Sequence, residues 1–260
     1  MNQANNESAS LLSNKTILIT RPCGREIHLR QIIEQAGGKV IHYPVIAISS
    51  PPSVEIEKLI QLRHHLQRFD MAIFISPTAV EQSQLYFPVL AEHLTIVSIG
   101  SKTTQTLQQL NIHVDLEAPE HNTESLLQTV EFQKPKIQNQ RILIFRGTGG
   151  RALLGDSLID RGAQVHYVET YRRVMPLQPP LSEQQLKSLS AITISSNEGL
   201  DNLISLIKNP GLLFDIPLVV PGQRAATLAR QHGFKTIITA NNATDEAVLI
   251  ALNDCLSAEA

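Results

Sequence analysis

Two stretches of this sequence repeat each other: NKTILITRPCGREIHLRQIIEQAGGKVIHY at residues 14–43 and NQRILIFRGTGGRALLGDSLIDRGAQVHYV at residues 139–168. At a constant offset of 125 residues, three consecutive apolar residues coincide, as do Arg21 with Arg146 and two glycines. Each copy has an apolar run, a glycine-containing turn, an amphipathic segment and a second apolar run. Short apolar runs indicate buried strands, and apolar residues three and four apart indicate a helix facing a core. Each copy therefore predicts a βαβ unit with parallel strands.

Three further pairs of segments resemble each other at offsets of about 119 to 122 residues. The first two pairs each predict a strand followed by a helix. The third predicts a helix with a threonine N-cap and an acidic first turn. The pairs are Met71–Val80 with Ser190–Leu200, Ile96–Ile112 with Leu218–Phe234, and Asn122–Val130 with Asn242–Leu252. Because the βαβ copy comes first in one set and last in the other, the chain is a duplication in permuted order.

The permuted order predicts an α/β fold of two similar lobes with parallel sheets. The two crossings between the lobes end in paired prolines, so we expect extended strands that form a two-stranded linker and a hinge beside a cleft. A single large sheet is the alternative that the sequence leaves open. The predicted parts are residues 15–42 and 175–260 for lobe 1, 45–168 for lobe 2, 43–52 and 169–180 for the linker strands, and 1–14 for a disordered lead-in.

The composition is that of a globular protein, with 42% hydrophobic residues, 18% charged residues and a net charge of -2. This charge gives no general attraction to nucleic acid or membrane, so an anion site must be built locally. Cys23 and Cys255 are too few for a disulfide framework and lack metal-ligand spacing. The polar start has no apolar core of a secretory signal, and no apolar run approaches the roughly 18 residues of a membrane span. We expect a cytoplasmic protein.

Six loops follow predicted strands and precede predicted helices, where open α/β sheets bind ligands. Backbone N–H groups at a helix start, a hydroxyl and a cation together suit a carboxylate or phosphate. The candidate contacts are Arg21, Ser76, Gly100, Ser101, Thr103, Arg146, Gly149, Ser195 and Arg224.

Each candidate also has a purely structural interpretation. Ser76 and Ser195 could be helix N-caps, and Gly100 and Gly222 could allow tight turns. The stretch RGTGGR at residues 146–151 lacks the Gly-Lys-Ser/Thr ending of a P-loop. No metalloprotease, Cys-x-x-Cys or Gly-x-Ser-x-Gly motif occurs in the sequence.

Tyrosine is scarce, yet three of the four tyrosines lie at or near the crossings. A phenol stays protonated at neutral pH, so it can donate a proton to a leaving group. For Tyr43 and Tyr167 we favour packing of the ring. For Tyr171 packing and acid chemistry are equally open on residue chemistry alone.

The strings LITRP, FISPTAV, IGSKTTQTL, RGTGGRALLGDSLIDRGAQV, VETYRR and SSNEGL, in this order and spacing, resemble the uroporphyrinogen-III synthase family. The likeness runs from about residue 15 to residue 253. It implies two α/β lobes with the active site in the cleft. It also implies conversion of hydroxymethylbilane to uroporphyrinogen III, with loss of water and inversion of the last pyrrole ring. It implies no metal and no organic cofactor.

The resemblance places the family's proposed acid on Tyr171, and its site-lining hydroxyl and backbone positions on Ser76, Gly100, Thr103 and Ser195. Two departures stand out: Gln223-Arg224 occupies a place where many relatives carry Ser or Thr, and Ser196-Asn197 replaces a Ser-Pro pair. The alternatives are a two-lobed protein that binds a small anion without reaction and, less favoured, a glycosyltransferase. We expect a monomer whose partner is a polycarboxylate tetrapyrrole.

Overall fold

The structure, a computed structural model, describes residues 12–242 and 244–257, which form two compact units. Unit 1 takes the described residues of Met1–Ala47 and Val174–Ala260, and unit 2 is Ile48–Arg173. Unit 1 is therefore made of two separate stretches of chain, while unit 2 is continuous.

Unit 1 contains a five-stranded sheet in the order β11-β10-β9-β1-β2, whose neighbouring strands are all parallel. Its strands are β1 (Thr16–Ile19), β2 (Lys39–His42), β9 (Ala191–Thr193), β10 (Leu218–Val220) and β11 (Ile237–Thr239). Its helices are α1 (Ile27–Gln35), α8 (Glu183–Lys187), α9 (Asn197–Leu206), α10 (Gln223–His232) and α11 (Asp245–Ser257), with a 3-10 turn at Pro210–Leu213.

Unit 2 contains a six-stranded sheet in the order β3-β8-β7-β4-β5-β6, parallel from β8 to β6. Its strands are β3 (Ala47–Ser49), β4 (Met71–Phe74), β5 (Thr95–Ser98), β6 (Leu116–Glu117), β7 (Arg141–Gly147) and β8 (Gln164–Val174). Its helices are α2 (Ser53–Arg63), α3 (Pro77–Ser83), α4 (Ser101–Gln109), α5 (Thr123–Gln128), α6 (Lys134–Ile137) and α7 (Leu153–Asp160), with 3-10 turns at Leu66–Arg68 and Val130–Phe132.

The two sheets have the same internal order once the permutation is allowed for. The order β11-β10-β9-β1-β2 corresponds to β6-β5-β4-β7-β8, strand for strand. The predicted α/β class with two parallel sheets is therefore confirmed, and the alternative of a single large sheet is wrong. The linker remains a prediction; β3 lies beside β8 at the edge of the unit 2 sheet.

Alternation along the strands explains why each sheet is covered on both faces. In β1, Leu18 belongs to one buried cluster, while Ile17 and Ile19 belong to the cluster on the other face. In β4, Phe74 belongs to the cluster on one face of the sheet and Ile73 to the cluster on the other face. Parallel strands buried on both faces produce the continuous apolar runs from which the strands were predicted.

Two local predictions need correction. Leu12 was assigned to a disordered lead-in, but its side chain is fully buried and its amide donates to the Ala36 carbonyl at 3.1 Å. The rest of that segment, residues 1–11, lies outside the described residues. Of the two helices predicted to have a threonine N-cap, α11 has one, since Thr244 accepts from the Ala247 amide; at α5 the cap is Asn122. Within the described ranges, no helix is long and apolar enough to cross a membrane.

Candidate functional site

The predicted site residues gather at the carboxyl edges of the two sheets. Since the strands within each sheet run parallel, the loops after β1, β9 and β10 share one edge of unit 1, and those after β4, β5, β6 and β7 share one edge of unit 2. A cavity of about 510 Å³ lies elsewhere in unit 2 and is lined by residues 84, 88–96, 110–113 and 115. It borders the beginning of β5, not its end, so it does not coincide with the predicted loops.

Two of the helices that begin at these edges have glycine as the N-cap residue. Gly100 is the N-cap of α4 and Gly222 the N-cap of α10, and neither position can supply a side-chain acceptor. By contrast, Ser76 caps α3 and Ser196 caps α9 through hydroxyl groups. Uncapped amides at a helix start carry partial positive charge and attract anions. The glycines occupy matching places in the duplication, so each unit has one helix start capped by glycine. The starts of α1 and α7 also lack a side-chain cap.

Of the two serines predicted to be N-caps, Ser76 is one and Ser195 is not. Ser76 Oγ accepts from the Ala79 amide at 3.1 Å, which confirms its role as an N-cap. At the other position the cap is Ser196, which accepts from the Gly199 amide at 3.0 Å, so the N-cap interpretation of Ser195 is wrong by one residue. Ser195 is exposed in the loop that precedes the cap.

The start of α4 combines a glycine, in a backbone conformation unfavourable for other residues, with a buried threonine. Gly100 has a φ of 142°, which L side chains rarely adopt. The amide of Thr103 donates to the Gly100 carbonyl at 2.9 Å, and Thr103 is buried. Ser101, the first helical residue, is exposed. The hydroxyl of Ser101 and the first amides of α4 are therefore polar groups that this loop can offer to a ligand.

Arg146 organises the loop in which it lies. Its side chain is buried, with Nε donating to the Gly147 carbonyl at 3.2 Å and a terminal nitrogen donating to the Arg151 carbonyl at 3.1 Å. Its guanidinium also lies 4.7 Å from the centre of the Tyr167 ring. A Cβ on Gly150 would collide with this guanidinium, so the loop is shaped around it. Contact between Arg146 and substrate remains a prediction.

Gly149, also a predicted contact, lies exposed at the turn of the same loop with a φ of 77°. The left-handed conformation explains why glycine is preferred there. Arg224 is exposed in the first turn of α10, next to the uncapped amides. Both residues are accessible to a ligand at their respective edges.

Arg21 meets a carboxylate from a distant part of the chain. Its guanidinium pairs with Asp245, and His28 Nδ1 lies 2.7 Å from the other oxygen of that carboxyl. Burial on its own raises the pKa of the Asp245 carboxyl. Hydrogen bonds and charge from Arg21 and His28 outweigh the burial and hold the pKa below its usual value. Sequence analysis missed Asp245, because no local pattern connects it to Arg21.

Tyr171 is almost fully buried in β8 and reaches the carboxyl end of β4. Its hydroxyl lies 3.4 Å from Ser76 Oγ, and a Cβ on Gly147 would come within 2.7 Å of its ring. The pairing of β7 with β8 shifts register between Arg146 and Gly147, so that Gly147 lies opposite Tyr171. This bulge directs the phenol toward the predicted site.

The other two tyrosines near the crossings serve packing. Tyr43 belongs to the buried core of unit 1, where its hydroxyl donates to the Pro179 carbonyl at 3.3 Å. Burial raises the pKa of the Tyr43 phenol, against the lowering effect of a hydrogen bond with Gln178. Tyr167 lies under the Arg146 guanidinium and donates to the Ala152 carbonyl at 3.4 Å.

A polar network beside Gly100 was also missed by the sequence analysis. Ser98 Oγ lies 2.6 Å from Thr104 Oγ1, and Thr104 donates to the Glu117 carboxylate. The other oxygen of Glu117 lies 3.2 Å from Nδ1 of His121. The spacing of four residues between Glu117 and His121 is visible in the sequence, but only the β5–β6 pairing brings both to the α4 start. Among the described residues, no group of three His, Cys, Asp or Glu side chains could hold a metal ion.

A family model and relatives by sequence agree on one family. A family model described as "Uroporphyrinogen-III synthase HemD" matches residues 28–250. The chain is 32% identical to uroporphyrinogen-III synthase of Escherichia coli K12 over 251 residues, which cover 91% of this chain and 99% of the relative. The enzyme of the same name from Salmonella typhimurium is 30% identical over 250 residues, with the same coverage of 91% and 99%.

Two solved structures share the fold. A mutant uroporphyrinogen III synthase from the extremely thermophilic bacterium Thermus thermophilus matches with a TM-score of 0.59 at 16% identity, over 94% of this chain and 99% of that one. Uroporphyrinogen-III synthetase from Helicobacter pylori matches with a TM-score of 0.56 at 15% identity, over 91% and 97%. The relatives by sequence identify the family, and the solved structures confirm the architecture.

Proposed function

The chain belongs to the uroporphyrinogen-III synthase family of lyases, which cyclises hydroxymethylbilane in tetrapyrrole biosynthesis, and we propose how its own residues take part. The substrate is a flexible chain of pyrroles that carries many carboxylates. We propose that the carboxyl edges of both sheets bind these carboxylates and hold the chain in the shape that leads to ring closure with loss of water and inversion of the last ring.

The observation that carries this proposal is the pair of helix starts at which the N-cap residue is glycine. Gly100 and Gly222 lie at equivalent places in the duplication, and each leaves the first amides of a helix of nine or ten residues without a side-chain acceptor. The neighbouring α3 and α9 have serine caps, which would compete with a ligand for the same amides. A carboxylate bound at each start would be stabilised by N–H donors and by the helix dipole.

Orientation supplies most of the catalysis in this proposal. Hydroxymethylbilane loses its hydroxyl readily and can close without help to the symmetric type I ring. The protein therefore needs to favour one attacking carbon over another, which positioning at several carboxylates achieves. Cationic character that develops on the pyrroles is stabilised by dipoles and charges fixed at the site.

Tyr171 is the proposed general acid for departure of the hydroxyl. A phenol is protonated at neutral pH, and this one is held by the β8 bulge with its oxygen 3.4 Å from Ser76 Oγ. Ser76 in turn is fixed as the N-cap of α3. The proposed contacts of Arg21, Ser101, Thr103, Arg146, Gly149, Ser195 and Arg224 with substrate rest on their places at the two edges.

The test is incubation of the protein with freshly prepared hydroxymethylbilane, followed by separation of the product isomers. We expect the type III ring to predominate with enzyme and the type I ring without it. Product that is only type I would overturn the proposal. The alternative of a binding protein without catalysis is not favoured, because the relatives that cover nearly the whole chain are named as synthases. The monomeric state, the cytoplasmic location and the absence of a nucleic-acid partner stay predictions.

A further inference from the structure

The last residue of β7, Gly147, lies directly beside the ring of Tyr171. A Cβ on Gly147 would come 2.7 Å from two ring carbons, Cε2 and Cζ, and 3.1 Å from the hydroxyl oxygen. Carbon atoms in ordinary contact are about 3.5–4.0 Å apart. Any side chain at position 147 would therefore overlap the hydroxyl end of the phenol, so Gly147 provides the space in which that end lies.

The strand pairing brings these two residues together. Gly147 lies opposite Tyr171 in the β7–β8 register, and paired residues on neighbouring strands point to the same face of a sheet. The backbone is also fixed at this point, because the amide of Thr148 donates to the Tyr171 carbonyl at 2.9 Å. A glycine in a strand often marks the close approach of another group. At Gly147 that group is the aromatic ring on the adjacent strand.

Thr170 is the extra residue of the bulge in β8. Glu169 and Tyr171 pair with consecutive residues of β7, so Thr170 has no partner on that strand. Regular alternation would place Thr170 on the same face as Val168, two residues earlier. Instead, Tyr171 joins Val168 in one buried cluster. The inserted residue thus decides that the phenol, and not the threonine, faces Gly147.

The equivalent strands of unit 1 have no such bulge. There, β1 and β2 pair along their whole length without a shift of register. In unit 2 the bulge has a cost, because the Thr170 side chain is fully buried and its hydroxyl has no hydrogen-bond partner among the described residues. Bulges are frequent next to active sites, where they re-aim a side chain. The departure from the repeat therefore occurs where Tyr171 must be directed.

We propose that Gly147 is a positioning residue for the general acid Tyr171, and that the bulge at Thr170 sets the register on which this positioning depends. Together they fix where the phenol oxygen lies when it donates to the leaving hydroxyl of hydroxymethylbilane. This inference rests on the proposed function, because the acid has a role only in that reaction. Neither Gly147 nor Thr170 is among the site residues predicted from the sequence.

Burial makes the position of the ring sensitive to this contact. Tyr171 is 2% exposed and belongs to the same buried cluster as Phe74 and Phe145, so the ring has little room to move away from an added methyl group. An overlap of about 1 Å must then be relieved by displacement of the phenol or of its strand. A misplacement of about 1 Å in a catalytic group can lower the rate about 10²-fold. The loss should appear in kcat, because the acid acts on the leaving hydroxyl and not on the carboxylates that bind the substrate.

Gly155 in α7 provides a matched control. A Cβ on Gly155 would come 1.9 Å from the hydroxyl oxygen of Tyr167, so the same substitution again overlaps a phenol in unit 2. Tyr167 is 39% exposed, and its ring can move into solvent. Tyr167 also has no part in the proposed proton transfer. Gly155→Ala should therefore reproduce the local overlap without the loss of kcat.

The experiment is a double-mutant cycle of Gly147→Ala with Tyr171→Phe, and Gly155→Ala as the control, in steady-state assays on hydroxymethylbilane. We expect Gly147→Ala to lower kcat about 10- to 100-fold with KM changed less than about threefold. In the Tyr171→Phe background, the same substitution should lower kcat by less than about threefold, because no hydroxyl remains to be misplaced. Gly155→Ala should leave kcat within about threefold of the wild type.

Substitutions at Thr170 provide a second test that does not depend on the folding of Gly147→Ala. Thr170→Ala removes the buried side chain that anchors the bulge, so kcat should fall about three- to tenfold. Thr170→Val keeps the branched shape and removes only a hydroxyl that has no partner among the described residues, so it should retain more than about half of kcat. In the Tyr171→Phe background, Thr170→Ala should cause no further loss.

Four outcomes would overturn the assignment. They are an unchanged kcat in folded Gly147→Ala, an equal loss in the Tyr171→Phe background, an equal loss in Gly155→Ala, and near-normal turnover in Tyr171→Phe alone. Circular dichroism and thermal unfolding of each variant separate misfolding from misplacement of the phenol. If Gly147→Ala is unfolded, equal kcat values for Thr170→Ala and Thr170→Val count against the proposal. Failure of the proposed function is distinct, since it appears as wild-type protein that makes no type III product.

Discussion

Arg21 in unit 1 and Arg146 in unit 2 occupy the same place in the two copies of the repeat, yet their guanidinium groups have different surroundings. Arg146 is buried and donates to two carbonyls of its own loop. Arg21 pairs with Asp245, which lies 224 residues further along the chain. A repeated sequence therefore repeats the strand, the turn and the helix, while the chemistry at the edge depends on what each copy packs against.

The two edges also differ in why they contain glycine. Gly100 has a φ of 142°, a conformation that would be strained for any residue with a side chain. A Cβ on Gly100 would also lie 3.4 Å from the Cβ of His121. Gly222 has an extended φ of 166°, and a Cβ there would meet nothing within 4 Å. Backbone geometry thus explains the glycine in unit 2. At Gly222 in unit 1, neither the backbone conformation nor crowding requires glycine. The open space beside the α10 start is consistent with a bound ligand there.

The largest expected effect is on kcat, and it should differ between Tyr171 in unit 2 and Tyr43 in unit 1. Tyr171→Phe should lower kcat by about 10²-fold or more, because general-acid loss typically has this size. Tyr43→Phe, in the core of unit 1, should leave kcat within about threefold. Both are measured as turnover and as the ratio of type III to type I product. Near-normal turnover in Tyr171→Phe would remove the acid role and leave the orientation proposal in place.

The duplicated arginines should respond differently to the same conservative change. Arg146→Lys should destabilise the protein by about 1–2 kcal/mol, since an ammonium cannot reach two loop carbonyls as a guanidinium does. Arg21→Lys should cost less, about 1 kcal/mol or below, because an ammonium can still pair with Asp245. Urea unfolding of both variants measures the difference. Equal losses of stability would contradict the distinction drawn between the two edges.

Alanine substitutions at Gly100 and Gly222 should have different effects. Gly100→Ala should destabilise by about 1 kcal/mol, because alanine is strained at that φ. Gly222→Ala should leave the free energy of unfolding unchanged, yet raise KM for hydroxymethylbilane, because the added methyl group stands at the uncapped start of α10. Thermal unfolding and steady-state kinetics test both statements. A Gly222→Ala variant with unchanged KM would show that the α10 start does not bind substrate.

The smallest expected effect concerns Asp245 and acid. Its carboxyl has a folded-state pKa below the ordinary value of 3.8, so its pairing stabilises the fold above that pH and is lost as the pH falls through the lowered pKa. Asp245→Asn should therefore be less stable than the wild type near neutral pH, and the gap should narrow below about pH 4. Urea midpoints across this range provide the measurement. A stability difference between the two proteins that stays constant from neutral to acid pH would contradict this prediction.

The sequence predicted most of the loops that form the candidate site. It predicted fewer of the side-chain contacts within them. The glycine turn at Gly100 and the capping by Ser76 were both foreseen from residue types that have strong local preferences. The cap at Ser196, not Ser195, was missed because neighbouring serines have the same preference. The network of Ser98, Thr104, Glu117 and His121 was missed because it joins two strands and a helix.

The sequence by itself determined that the chain repeats a parallel βαβ arrangement in permuted order, because apolar periodicity and glycine turns are properties of short segments. The tertiary structure alone decided that Arg146 is buried in its loop, that Asp245 pairs with Arg21, and that the Tyr171 hydroxyl lies 3.4 Å from Ser76. These contacts join residues on different strands, loops and helices. Their distances follow from how strands pair and helices pack, which no local pattern encodes.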